Sequence, residues 1–380
     1  MRTTHNTSSG GNGIYSVIAA VSIVALIPCQ ALLDNDQHGS ERGVSSTAPP
    51  VIELSCRYLW DPNAPNLEDW QAIGLGPMDI TWGGQNNIFL SDAQNSRVIN
   101  FTKEGTLIYV IGRQGEGPGE FQQPLDLAYD TSNDILWVVE RIQGRVSRFQ
   151  IQENEFEFID RTIFPAFIAH RWPCLVHEDG DLFWINWISR FVDNERHGKK
   201  TRIQLMDLKG NEILGFGERW TPRHAEMSEI SWNRGFLEKL PNSIAFISQH
   251  RPVVEVWSKN GELLSCREND YPGLNVRPPH RISRDEIHIF PTFISSASHP
   301  SKNILYVLYY HSNKELLVIL ALDPSTLEIL QEFHMIPEDN GIDHAFIQEF
   351  LVDDTGGNLS FYGLDLTQSS IVHMEVKNPL

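Results

Sequence analysis

Two carboxylates stand out first. Asp79 and Asp126 each occupy the third place of a Pro-x-Asp-apolar segment, Pro77-Met78-Asp79-Ile80 and Pro124-Leu125-Asp126-Leu127. Carboxylates that a repeat brings to one place can hold a hard cation such as calcium. Such a cation takes six or more oxygen ligands. Only these two acids match, and Leu175, Ile294 and Leu351 stand near the corresponding points further along, so no acid ring is expected. A second pattern pairs an acid with an arginine five residues later, Asp92 with Arg97 and Glu140 with Arg145. A repeated pair of this kind is expected to be an internal tie, since guanidinium and carboxylate match in a fixed fork geometry.

A third set runs against the charge of the whole chain, which is −19. Arg196, Arg219, Trp220, Arg223, Arg277, Arg281 and Arg284 fall in or beside three long segments, 193–200, 218–233 and 266–287. Arginine grips carboxylates and tryptophan stacks on sugar rings or cations. The set therefore fits an anionic glycan or a carboxylate-rich partner. The competing reading is a solvated loop surface with internal ion pairs, because loops collect charge whatever they do.

Other chemistries find no support. A net charge of −19 leaves no general basic surface for nucleic acid. There is no Gly-x-Ser-x-Gly elbow, and the histidines are scattered. Gly112 to Gly119 is rich in glycine, but a strand follows it rather than a helix, so a phosphate cradle is not expected. Four cysteines, Cys29, Cys56, Cys174 and Cys266, match no zinc spacing and are expected to be buried or half-buried free thiols.

The elements that position these residues are short strands. Ile88 to Phe101 aligns with Leu136 to Phe149 at a constant offset of 48 residues. Each copy has an apolar strand, an acid, a turn, an arginine, then a strand with a β-branched residue and an aromatic. Weaker copies follow at Leu182–Phe216, Ile244–Trp257, Ile304–Phe333 and Leu359–Met374. These make six units of up to four strands, with no amphipathic helix of useful length. The spacing predicts an all-β, six-bladed β-propeller of four-stranded antiparallel blades. The last unit stops after its third strand, so Val51 to Leu59 is expected to supply the missing outer strand and close the ring. Closure hides two sheet edges that would invite aggregation.

The segment Ile111-Gly112-Arg113-Gln114-Gly115-Glu116-Gly117-Pro118-Gly119-Glu120-Phe121-Gln122-Gln123-Pro124 resembles the NHL-repeat consensus of spaced glycines, then Phe, then Pro, then an apolar strand. The likeness is strong over residues 77–150. More widely, the chain resembles exported bacterial six-bladed propeller proteins, many of them lipoproteins. Six-bladed relatives such as lactonases bind calcium at the channel through carboxylates and Asn, and that resemblance implies calcium at Asp79 and Asp126 if this chain follows them.

The N-terminus reads as a targeting segment. Ile14 to Ile27 is apolar apart from Ser16 and Ser22. Fourteen helical residues reach roughly 21 Å, short for a membrane crossing, so a secretory segment fits better, with a single-pass anchor accommodated by tilt and thinning as the alternative. Cys29 stands where a lipoprotein carries its lipid, and cleavage after Ala31 is the alternative. The expected division is 1–31 signal, 32–50 linker and 51–380 propeller. Two functional readings stand. The leading one is an exported, monomeric, cofactor-free binding or scaffold protein in the periplasm or at the cell surface, with a ligand or a protein partner at the loop face or the central channel. The other is a metal-dependent hydrolase or lyase with its site at the channel mouth.

Overall fold

The computed structural model describes residues 49–59, 76–84, 87–140, 145–153, 155–163, 174–179, 182–186, 201–209, 211–221, 232–274, 280–281, 287–288, 292–299, 302–336, 347–355, 357–366 and 368–377. The chain divides into two units, Met1–Val44 and Ser45–Leu380, and all described residues belong to the second. The apolar run 14–27 and Cys29 lie outside the described residues.

The described residues form six antiparallel blades. After β1 (Val51–Tyr58), blade one contains β2 (Pro77–Trp82), β3 (Asn87–Asp92), β4 (Arg97–Thr102) and β5 (Leu107–Ile111). Blade two contains β6 (Pro124–Asp130), β7 (Ile135–Glu140), β8 (Arg145–Ile151) and β9 (Phe156–Ile163). Blade three contains β10 (Cys174–Asp179), β11 (Leu182–Asn186), β12 (Thr201–Asp207) and β13 (Glu212–Glu218). Blade four contains β14 (Gly235–Lys239), β15 (Ser243–Ser248), β16 (Val253–Ser258) and β17 (Leu263–Glu268). A two-stranded ribbon, β18 (His280–Arg281) and β19 (Ile287–His288), precedes blade five. Blade five contains β20 (Ser295–Ser298), β21 (Leu305–His311), β22 (Leu316–Leu322) and β23 (Ile329–Met335). Blade six contains β24 (Ile347–Asp353), β25 (Ser360–Asp365) and β26 (Ser370–Val376).

The fourth strand of blade six is β1, paired antiparallel to β26 with Cys56 opposite Met374. The ring is thus closed by the N-terminal strand. The same strand also pairs parallel with β23, Leu54 opposite Met335, so blades five and six merge into one eight-stranded sheet. Leu54 is fully buried among Tyr306, Phe333 and Phe361. That burial is the main energetic reason for the strand to dock, at about 25 cal/mol per Å² of apolar surface removed from water.

Second and third strands are almost wholly apolar and buried on both faces, as ILWVVE in β7. Each blade face is covered by its neighbour, so the alternation of a half-exposed strand is lost. Aromatics fill the wedges between blades. Trp137 packs on Phe183 of the next blade, and Phe216 on Trp257.

The repeated acid–arginine pairs are internal ties. Asp92 is fully buried and accepts from Arg97 Nε at 2.8 Å, Asn95 Nδ2 at 2.8 Å and Gly76 N at 2.9 Å. Glu140 does the same work one blade on, accepting from Arg145 Nη2 and Gln122 N. Each acid thereby fixes the entry of its own inner strand to its second hairpin.

Cysteine chemistry departs from expectation. Cys56 is a buried free thiol, but Cys266 is disulfide-bonded. A count that sets Cys29 aside leaves an odd number, and this is what hid the bond.

Candidate functional site

The inner strands of the six blades surround a central cavity of about 740 Å³. Its walls combine apolar and aromatic groups such as Trp82, Tyr129, Phe236 and Phe350 with polar ones. Concave sites of this size with a few converging polar groups are the usual place for a small ligand.

The polar groups are placed by a shared irregularity. In β2 the pairing register shifts between Pro77 and Asp79, in β6 between Pro124 and Asp126, and in β24 between Ile347 and Glu349. A bulge re-aims the residue that follows it. Three consecutive blades, six, one and two, thus present an acid at the same point: Glu349, Asp79 and Asp126. Glu238 of β14 joins them from blade four and interacts with Asp79. The expectation that no further acid joins Asp79 and Asp126 is therefore wrong. Leu351 is near the channel, but Glu349, two residues before it, occupies the register position of Asp79.

The Asp79 carboxyl lies beside that of Asp126. Asp79 Oδ1 also accepts from Ile80 N at 2.8 Å, and Oδ2 from Leu127 N of the next blade at 2.6 Å. Glu349 Oε2 accepts from Ser295 Oγ at 2.8 Å, and Glu238 Oε1 from Ser296 Oγ at 2.8 Å. These donors are neutral. Burial pushes the Asp79 carboxyl up to about 7, against the lowering effect of its hydrogen bonds. Burial, helped by the charge of Asp79, pushes Glu238 up to about 7. Burial and the charges of Asp79 and Glu238 hold Glu349 well above the usual carboxylate range. Desolvation disfavours the charged form, and like charges add to it.

Two amide groups also belong to the lining. Gln348 is nine-tenths buried in the cavity wall, and its Nε2 donates to Met78 O at 3.0 Å. Its Oε1 makes no hydrogen bond. Gln249, also in the wall, has a buried Oε1 without a hydrogen-bond donor. At another part of the cavity His177 lies 3.6 Å from Asp130 and against the Trp137 ring. Among the described residues, no group of three or more His, Cys, Asp or Glu is arranged to hold a metal ion. Asp79 and Asp126 do come together, side by side on neighbouring blades.

The basic set is only partly described. Arg196, Arg223, Arg277 and Arg284 lie outside the described residues, as does the side chain of Arg281, whose backbone is in β18. Arg219 and Trp220 are half-buried. The Trp220 ring lies between two guanidiniums, Arg202 at 3.6 Å and Arg251 at 4.0 Å. Its backbone is tied to Asn233, which accepts from Trp220 N at 2.6 Å. Arg202 is in turn paired with the buried Glu255 at 3.0 Å, and Arg251 with Glu268 at 2.7 Å. Trp220 is thus engaged within the protein, where it joins blades three and four.

Six four-stranded blades around a central cavity define a β-propeller. The chain belongs to the 6-bladed beta-propeller family, which it matches over residues 76–319. The peptidylglycine alpha-amidating monooxygenase of Rattus norvegicus is 29% identical over 132 residues, 33% of this chain. The chain spans 13% of that protein's length. Among solved structures, the RRP9 WD40 repeats resemble it with a TM-score of 0.49 at 10% identity, covering 85% of this chain and 97% of that one. Virginiamycin B lyase from Staphylococcus aureus does so with a TM-score of 0.46 at 12% identity, covering 85% of this chain and 100% of that one.

Proposed function

We propose that this chain is an exported, non-catalytic binding propeller of the NHL-repeat type, and that its ligand sits in the central channel. The observation that carries the reading is the cavity of about 740 Å³ into which bulges on three consecutive blades turn an acid. A device repeated at one place in three blades serves the cavity more than it serves any single blade. The disulfide at Cys266 supports export, because such bonds persist in oxidising compartments.

The channel is favoured over the loop face because Trp220, the aromatic centre of the basic set, is already stacked between Arg202 and Arg251. A hydrolase or lyase reading draws on one feature, the buried Asp79 carboxyl beside Asp126, which burial pushes up to about 7. A carboxyl group poised near neutral pH can serve as a general acid or base.

The test is a thermal-shift screen of residues 45–380 with small cationic, neutral and anionic compounds, repeated with Met78→Trp, which enlarges a half-buried side chain of the cavity wall. Ligands that bind the native fold raise its midpoint by mass action. Hits that disappear in Met78→Trp support the channel. Hits that persist there and disappear in Arg219→Ala would return the site to the loop face, and turnover of any hit would favour the enzyme.

A further inference from the structure

We propose that the closing strand β1 is a pH-operated latch: neutral His373 keeps its C-terminal half shut on β26, and protonation of that imidazole releases it. The proposal stands apart from the channel and its ligand.

β1 is a natural place for a local opening. It is the first strand of the ring, and its contacts to blade six reach across most of the chain. Tyr58 Oη donates to Asp365 Oδ2 at 2.9 Å, Leu59 N to Ile371 O at 2.8 Å and Lys377 N to Glu53 O at 2.9 Å. Terminal elements held in this way open at a lower cost than the whole fold.

His373 lies where β1 meets β26. Residues directly opposite on neighbouring strands put their side chains on one face. Arg57, His373 and Tyr362 therefore form a row across β1, β26 and β25. His373 is buried, its ring stacks on Tyr362 with centroids 4.5 Å apart, and neither ring nitrogen makes a hydrogen bond. An imidazolium carries N–H donors on both nitrogens, and the closed strand leaves both without an acceptor. The charged groups that face it are Arg57 from β1, Glu375 from its own strand at 3.6 Å, Asp353 from the end of β24 and Lys103 from blade one. Lys103 and Asp353 pair with each other at 3.4 Å. Arg57 repels a proton on His373, and the pull of Glu375 is weakened by the exposure of its side chain to water.

Lifting residues 55–58 removes Arg57 and lets water reach the imidazole. The open form thus binds the proton more readily than the closed one, in which burial holds the His373 pKa below its ordinary 6.5. The latch is fully shut well above 6.5 and loosens as pH falls below it. The other half of β1 answers differently. On β23, His334 faces His311 6.5 Å away, stands opposite Glu53 and has its Nε2 3.0 Å from Glu332 Oε2. A proton there meets a carboxylate, so residues 51–54 stay on blade five while the edge of β26 is bared.

The experiment is hydrogen exchange of the full chain at pH 7.5 and pH 5, read as protection relative to the intrinsic rate at each pH. Protection of residues 55–59 and 372–376 should fall several-fold more than that of β7 and β8 in blade two. Cys56, buried on β1 opposite Met374, is a second reporter. Its labelling by a dithiodipyridine, which attacks thiols at acid pH as well, should quicken several-fold at pH 5, read by mass on the peptide that carries it. His373→Phe, which keeps a ring on Tyr362 and takes no proton, should abolish both responses, and Arg57→Gln should weaken them. An equal loss of protection in blade two, an unchanged β1 at pH 5, or a full response in His373→Phe overturns the proposal. Should His373→Phe not fold, Arg57→Gln decides, and an undiminished response there overturns it as well.

Discussion

Asp79 Oδ2 of blade one accepts the Leu127 amide of blade two at 2.6 Å. One carboxyl group therefore faces the channel, touches a second carboxyl group and ties two neighbouring blades. Ring integrity and the charge state of the channel are coupled through it.

The first prediction concerns pH. The folded-state pKa values of Asp79 and Glu238 are raised to about 7. Between the usual carboxylate value and 7, the folded chain holds protons that the unfolded chain releases, so this contribution to stability falls as pH rises. The unfolding midpoint should drop from pH 6 to pH 8. In Asp79→Asn/Glu238→Gln, which keeps neutral groups at both places, the drop should be clearly shallower. An equal slope in both proteins would contradict the assignment.

His373 acts in the opposite direction. It is buried, stacks on Tyr362 with centroids 4.5 Å apart, and neither ring nitrogen makes a hydrogen bond. Burial lowers its pKa, so the unfolded chain binds its proton more readily and stability is lost as pH falls below about 6.5. His373→Phe should lose less stability than the parent chain between pH 7.5 and pH 5. Urea midpoints at pH 5 and pH 7.5 measure the difference.

Ring closure can be tested at Leu54. Its side chain has no exposed surface, and its strand pairs with both β23 and β26. Leu54→Ala should cost about 3 kcal/mol. Removal of residues 45–59 should expose the edges of β23 and β26 and promote aggregation. Chemical denaturation and light scattering are the readouts.

At Glu140 a single carboxylate meets Arg145, Ser147 and the Gln122 amide, with Arg161 at 3.7 Å. Glu140→Ala leaves the buried Arg145 without its partner and should cost about 3–5 kcal/mol. Glu140→Ala/Arg145→Met should recover part of that loss. A single substitution that costs under about 1 kcal/mol would show that the tie is dispensable.

Where the sequence repeats itself, the fold is legible from it. The 48-residue offset between Ile88 and Leu136, the acid–arginine interval and the short final unit lead to six blades and a closing N-terminal strand. Strand period and turn chemistry are local properties, and a repeat amplifies them. The channel is different. Asp79 lies 13 residues before Asp92, but Glu349 lies 16 before Asp365, because the intervening hairpin is longer. The eye therefore lands on Leu351, two residues beyond the matching acid. Only the pairing register, with its bulge between Ile347 and Glu349, restores the match. Glu238 follows no sequence interval at all and feels the charge of Asp79 from blade four. Which acids meet, and that they hold protons near neutral pH, depends on distances between residues far apart in the chain and on the water that closure removes. Those are properties of the assembled ring, and no local pattern encodes them.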